Sequence, residues 1–401
     1  MGMIITSLGL SGSGKTVFLS TLLDSLHSAV NSIDNFYLAD RNIDGGKLLT
    51  DTLQHKNISI TSNLHKIGED GFKGYPMGTT STVFREFSLL NGKENILDIG
   101  WLDYKGGLLS TDEVDDLQDK DDLYSFLDKS TATIVYLDAY RITKAKNIKQ
   151  ARRQVGADVI GNILSHFESS KEDKVVNILF VLTQVDAIED SKWIGEDGSY
   201  KRLTDYTLEV LGGIKNMINR NLIWNCGIVA VSAVGIGNNK RQIVQEATFN
   251  KAIEVIDEII DDPEPLNIVE SFFWLVACEV ASQRQKTHSS INRIKSNMQK
   301  EKARIEKGKA KVAKKVIEKE NERLNNMNFF NRFIDKTLHE SRNRNNVEHE
   351  KSVAKNNWES SQQHTIQEIE DRMFNENFLL AKYENALQPL FNVSKNIVRK
   401  I

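Results

Sequence analysis

Proline is scarce in this sequence. Four residues, Pro76, Pro263, Pro265 and Pro389, serve a chain of 401. Cysteine is scarcer still, with Cys226 and Cys278 alone. Two thiols so far apart in sequence exclude a disulfide framework and fit a reducing cytosol. No run of about 18 apolar residues occurs, so no transmembrane helix is expected. The most apolar window, "FFWLVACEVA" at 272–281, is too short and contains Glu279. No basic region followed by an apolar stretch and a small-residue cleavage site opens the sequence, so we expect no secretory signal and a cytoplasmic chain. A charge excess is lacking too. The net charge of −3 argues against nucleic acid as a partner of the whole chain. What is present is 40% hydrophobic and 27% charged residues, the balance of soluble folded domains, over a length that exceeds one typical core.

The prolines mark the main boundary. Pro263 and Pro265 sit in the acidic turn "DDPEPLN", which should stop the preceding element. Before it, strands alternate with helices. "MIITSLGL" reads as a strand, "TVFLSTLLDSLHSAV" has helical spacing, and "STVFREFSLL" and "ENILDIGWLD" look like a strand pair joined by "NGK". "ATIVYLDAY", "VVNILFVLT" and "CGIVAVSAV" are β-branched runs typical of buried parallel strands. The pattern predicts a three-layer α/β/α domain over 1–262. After Pro265 no strand-like run remains, and an all-α domain is expected over 266–401, with a long basic helix or hairpin at 284–320.

One motif carries specific chemistry. "GLSGSGKT" matches G-x-x-x-x-G-K-[ST] and lies between a strand and a helix, the context the motif requires. Gly9, Ser11, Gly12, Ser13, Gly14, Lys15 and Thr16 would form a phosphate cradle, because glycines let backbone N–H groups turn inward at a helix N-terminus. Lys15 would reach the β- and γ-phosphates, and the Thr16 hydroxyl would ligate Mg²⁺. A second element bears on the base. In "ILFVLTQVDAI", Asp186 lies just past a buried strand. One carboxylate can accept both adjacent donors of guanine, N1–H and the 2-amino group, an edge that adenine lacks.

With Thr183, Gln184 and Asp186 the chain resembles the translation-factor-type P-loop GTPases, whose fourth motif reads Asn/Thr-Lys-x-Asp; Gln184 stands where that family has lysine. The resemblance covers 1 to about 260 and implies a site for GTP or GDP with Mg²⁺. Its Asp-x-x-Gly motif falls on Asp103 and Gly106, with Asp98 as a rival that has no glycine at the required offset. The residue after Gly106 is Gly107, where many members carry a side chain that orients the attacking water, so intrinsic turnover should be slow. The switch threonine that closes over Mg²⁺ falls on Thr80 in "YPMGTTSTVF", with Thr79 as runner-up. The resemblance thus implies catalytic roles for Lys15, Thr80 and Gly106 and metal contacts from Thr16, Thr80 and Asp103. Its fifth motif falls on Ser232, Ala233 and Val234. The overall likeness is to a divergent bacterial member, with a helical part that dynamin-like proteins share only in plan.

Other features have two readings. The acidic run at 111–122 is a solvated helix or loop, or a docking patch. The basic 284–320 segment is a solvated helix face, or a contact for an anionic surface. Phe329, Phe330, Phe333, Ile334 and Leu338 share one helical face at 325–340, which suits core packing, a partner or a peripheral membrane contact. Arg141, beyond a strand in "LDAYRI", is a candidate phosphate-facing arginine. The expectation is a nucleotide-dependent switch and slow GTPase whose residues 266–401 engage a protein partner or a second copy. The alternatives are a GTP-binding scaffold without significant hydrolysis and a nucleic-acid-associated GTPase. Since every nucleotide motif precedes Pro263, residues 1–262 would bind nucleotide by themselves.

Overall fold

The β-branched apolar runs form the central strands of one sheet. The computed structural model describes residues 2–26, 36–40, 83–104, 117–170, 175–195, 199–221, 224–236, 239–246, 251–259, 264–285 and 397–401, with scattered residues between 289 and 388. In chain order these give β1 (Gly2–Leu8), α1 (Lys15–Leu26), β2 (Phe36–Asp40), β3 (Val83–Asn91), β4 (Glu94–Asp103), α2 (Leu117–Lys129) and β5 (Ala132–Asp138). There follow α3 (Ala139–Lys144), α4 (Ile148–Val155), α5 (Ala157–Ser170), β6 (Val176–Thr183), α6 (Lys201–Val210), α7 (Gly212–Arg220) and β7 (Trp224–Ala230). β8 (Asn239–Glu246), β9 (Lys251–Ile259), a helix α8 that is continuous over 268–285, and β10 (Arg399–Lys400) complete the set.

The sheet has the order β10-β7-β6-β5-β1-β4-β3-β2. β7, β6, β5, β1 and β4 run parallel. β3 is antiparallel to β4, β2 to β3, and β10 to β7. The hairpin between β3 and β4 turns at Gly92, whose φ of 58° suits the "NGK" signal. β8 and β9 pair with each other as a separate antiparallel ribbon, which the sequence pattern did not announce.

Side chains alternate across the sheet, as strand geometry requires. Val135, Leu137, Ile178, Phe180 and Leu182 point to one face and pack with Leu123, Leu127, Ile160, Leu164, Leu203 and Ile214 from α2, α5, α6 and α7. Tyr136, between Val135 and Leu137, lies on the other face, where its ring meets Phe18 of α1 edge-on at 5.3 Å. α8 also reaches the sheet: Trp274 packs at Gly227 of β7, and Asn177 Nδ2 of β6 donates to Glu279 Oε2 at 3.3 Å. With helices on both sides of a mainly parallel sheet, the fold is an α/β P-loop fold.

The chain divides into two compact units, Met1–Ala281 with Ala386–Ile401, and Ser282–Asn385. This differs from a first domain ending at 262. Phe272, Phe273, Leu275, Val276 and Val280 of α8 are buried. Beyond α8 the tail returns: β10 lies along β7, the Ile401 N–H donates to Cys226 O at 3.0 Å, and Arg399 Nη1 meets Asp205 Oδ1 at 2.6 Å. The scattered described residues between 289 and 322 are helical. The 325–340 cluster lies outside the described residues, as do most of the basic 284–320 segment and the start of the acidic run. Among the described residues no helix is long and apolar enough to cross a membrane. Cys226 and Cys278 are not joined in a disulfide, and burial pushes each thiol up to about 12, so both stay protonated at neutral pH.

Candidate functional site

β1 is the point where the sheet's connectivity reverses, with β4 on one side and β5 on the other. In open α/β sheets ligands bind outside the carboxyl ends of the strands at such a crossing. The loop after β1, Gly9–Gly14, occupies that position. Gly9 admits no side chain: a Cβ there would lie 2.6 Å from Ser13 Oγ and 2.8 Å from Tyr136 O. Gly12 and Gly14 have φ of 77° and 85°, backbone that turns successive N–H groups inward at the cost of excluding most L side chains.

Lys15 is the first residue of α1 and is buried. Its Nζ donates to Gly9 O at 2.7 Å and Leu10 O at 3.2 Å, folding back over the loop. Burial lowers the ammonium to about 8, and the nearby Asp103 carboxylate pulls it the other way. Next along the helix, the Thr16 hydroxyl donates to Asp103 Oδ2 at 3.0 Å. Asp103 is the last residue of β4 and is 2% exposed. Its rival Asp98 lies earlier on the same strand and accepts from Ser88 Oγ and Asn95 Nδ2. Thr16 and Asp103 thus present two hard oxygen donors side by side, which suits Mg²⁺ held jointly with phosphate and water.

The end of β6 closes on the loop from the other side. Thr183 Oγ1 donates to Ser13 O at 2.9 Å and approaches Leu137 O at 3.3 Å. Gln184 has φ of 58°, an uncommon conformation for a side-chain-bearing residue. Two hydrogen bonds hold it there: Nε2 to Gly12 O at 3.2 Å and to Asp138 Oδ2 at 3.1 Å. Removing the Thr183 hydroxyl should therefore loosen the loop from β6. Thr183→Ala is expected to cost about 1 kcal/mol of stability, read as a fall of a few degrees in a thermal melt, with weaker nucleotide binding as its companion.

Asp186 lies in the short 3-10 turn Val185–Ala187. Its Oδ1 accepts from Ser232 Oγ at 2.8 Å. Ser232 Oγ in turn accepts from the Val234 and Gly235 N–H groups at 3.2 and 2.9 Å. The loop after β7 therefore fixes one carboxylate oxygen of the residue after β6. Tyr200 stands close enough to feel the Asp186 charge; burial first and that charge second push its phenol up to about 12.

The described residues thus bring together Gly9, Ser11, Gly12, Ser13, Gly14, Lys15, Thr16, Asp103, Thr183, Gln184, Asp186, Ser232, Ala233 and Val234 at one end of the sheet. Thr79, Thr80, Gly106 and Gly107 lie outside the described residues. Asp138 went unnoticed in the sequence. It ends β5, caps α3 by accepting from the Arg141 N–H at 3.0 Å, and pairs with Arg141 Nε at 3.1 Å. An aspartate between an apolar strand run and a helical turn is an N-cap signal, and it was available there.

No protein-family model and no curated protein matches the chain. Among solved structures it is similar to a chain of the signal recognition particle receptor SRb-GTP/SRX complex from Chaetomium thermophilum. The identity is 13%, the TM-score 0.34, and the match covers 59% of this chain and 92% of that one. A likeness of that size does not define a family or a ligand; the α/β P-loop fold rests on the strand order and the loop geometry above.

Proposed function

We propose that this chain binds guanine nucleotide, as a translation-factor-type P-loop GTPase with a slow intrinsic rate. The observation that supports it best is the pair of locks on the β6 end. Thr183 and Gln184 fasten it to the phosphate loop, while Ser232 steadies the carboxylate of Asp186. One segment then sets phosphate and base pockets at a fixed separation. The backbone N–H groups and Lys15 would take the phosphates. Asp186 would accept the two donors of the guanine edge. Thr16 and Asp103, with Thr80, would hold Mg²⁺, which when bound neutralises charge on the β- and γ-phosphates. Gly106 would offer its N–H to the γ-phosphate. In this reading GTP orders the segments carrying Thr80 and Gly106, hydrolysis releases them, and residues beyond the phosphate-binding unit pass that state to a protein partner or a second copy.

Titration with GTP and ATP tests the base assignment. Wild type should prefer GTP by at least about tenfold, and Asp186→Asn should weaken GTP while admitting xanthine nucleotides, whose 2-oxo group accepts from the new amide. Equal affinity for ATP and GTP would remove the guanine assignment. A second reading, a GTP-binding scaffold without significant turnover, is favoured by Gly107, which has no side chain to orient water. Phosphate release per mole of protein over hours separates the two.

A further inference from the structure

Arg141 is a cation at the phosphate loop that no motif above uses. A Cβ built on Gly12 would lie 3.3 Å from Arg141 Nη2, so the guanidinium tip stands directly beside the loop. It does not stand there by chance of rotamer. Arg141 belongs to the first turn of α3, and Asp138 caps that turn through Oδ1 while Oδ2 holds Arg141 Nε at 3.1 Å. The same Oδ2 accepts from Gln184 Nε2, which also donates to Gly12 O. Asp138 is 5% exposed and is the last residue of β5.

The chemistry of the fork matters here. A guanidinium has five N–H donors in a fixed plane. The carboxylate of Asp138 engages Nε, and Nη2 stands at the Gly12 side of the group. Arg141 is partly open to solvent, at 39% of its side chain. Lys15, by contrast, is turned inward onto Gly9 O and Leu10 O. The loop therefore has one cation beneath it and one beside it. A guanidinium anchored through Nε with Nη2 set beside the loop has a charged donor placed for a phosphate oxygen.

We propose that Arg141 is a phosphate-binding residue: Asp138 anchors its guanidinium beside Gly12 so that the terminal nitrogens donate to a phosphate of the bound nucleotide. This rests on the guanine-nucleotide reading above and adds a contact from β5 and α3 to it. A Cβ at Gly12 would also require the guanidinium to shift by a few tenths of an ångström.

The test is a phosphate ladder on the full chain. Guanosine, GMP, GDP and GTP are titrated calorimetrically, or by competition where binding is weak, against wild type and Arg141→Gln. The expected result is a loss of about tenfold beginning at whichever rung first places a phosphate beside Gly12, and unchanged guanosine affinity. That loss should shrink as salt rises, because the contact is partly exposed. A melt within a degree or two of wild type would show that the loss is not one of folding. Equal losses on all four rungs, guanosine included, would overturn the proposal, because Arg141 would then act on the base side through Gln184. No loss on any rung would overturn it as well. Wild type that binds none of the four would instead remove the guanine-nucleotide reading, an outcome distinct from both.

Discussion

A chain cut after residue 262 is expected not to fold. The cut removes α8, and with it Phe272, Phe273, Leu275, Val276 and Val280, each no more than 3% exposed. Burying an aliphatic or aromatic side chain contributes roughly 1.5–3 kcal/mol, so these five together amount to on the order of 10 kcal/mol. That rivals the ~5–15 kcal/mol by which a whole domain is stable. The cut also removes β10 and leaves the β7 edge unpaired, an invitation to aggregate. A chain in which Ala281 is joined to Ala386 by a flexible linker of about 15 residues keeps the five buried α8 side chains and β10, and should fold and bind nucleotide. Soluble yield and thermal melts of the two products decide the matter. A sharp melt from residues 1–262 alone would show that α8 is dispensable.

Lys15→Ala is expected to abolish most triphosphate binding, costing about 2 kcal/mol or more, which is about thirtyfold in affinity. The lysine is nearly buried and already deprived of water, so a phosphate arriving over the loop would meet a charge with little solvent to compete. The same burial holds the ammonium at about 8, below its ordinary value, so its charge is a burden on the nucleotide-free fold rather than a support. The substitution should therefore act on binding far more than on folding. A titration with GTP alongside a melt separates the two effects; an unchanged affinity would show that Lys15 has no part in holding phosphate.

The central strands and the loop were legible in the sequence for a physical reason. β5 and β6 are buried on both faces, so they read as continuous apolar runs, and the loop's glycines serve backbone positions that few other residues fill. Asp186 and Ser232 were legible one at a time, but the bond between them was not, because strand ends meet through the sheet and not along the chain. α8 was misplaced for a different reason. Its apolar window follows a double-proline turn, and a local break says nothing about which layer the next helix covers. β10 has two residues, Arg399 and Lys400, whose side chains are exposed, so no hydrophobic pattern marks it. Asp138 and Arg141 lie three residues apart, a spacing too common to read until the structure sets Gly12 beside them.

The returning tail changes how force would travel through this molecule. Residues 282–385 leave the sheet-bearing unit at one point and rejoin it at another, so they form a closed excursion and not a free extension. The rejoining chain ends on β7, with Val398 packed at Gly227, Arg399 paired with Ile228 and Lys400 with Gly227. β7 is also the strand that runs on to Ser232, the residue holding Asp186. Traction on residues 397–401 would therefore be borne by the strand that leads to Ser232.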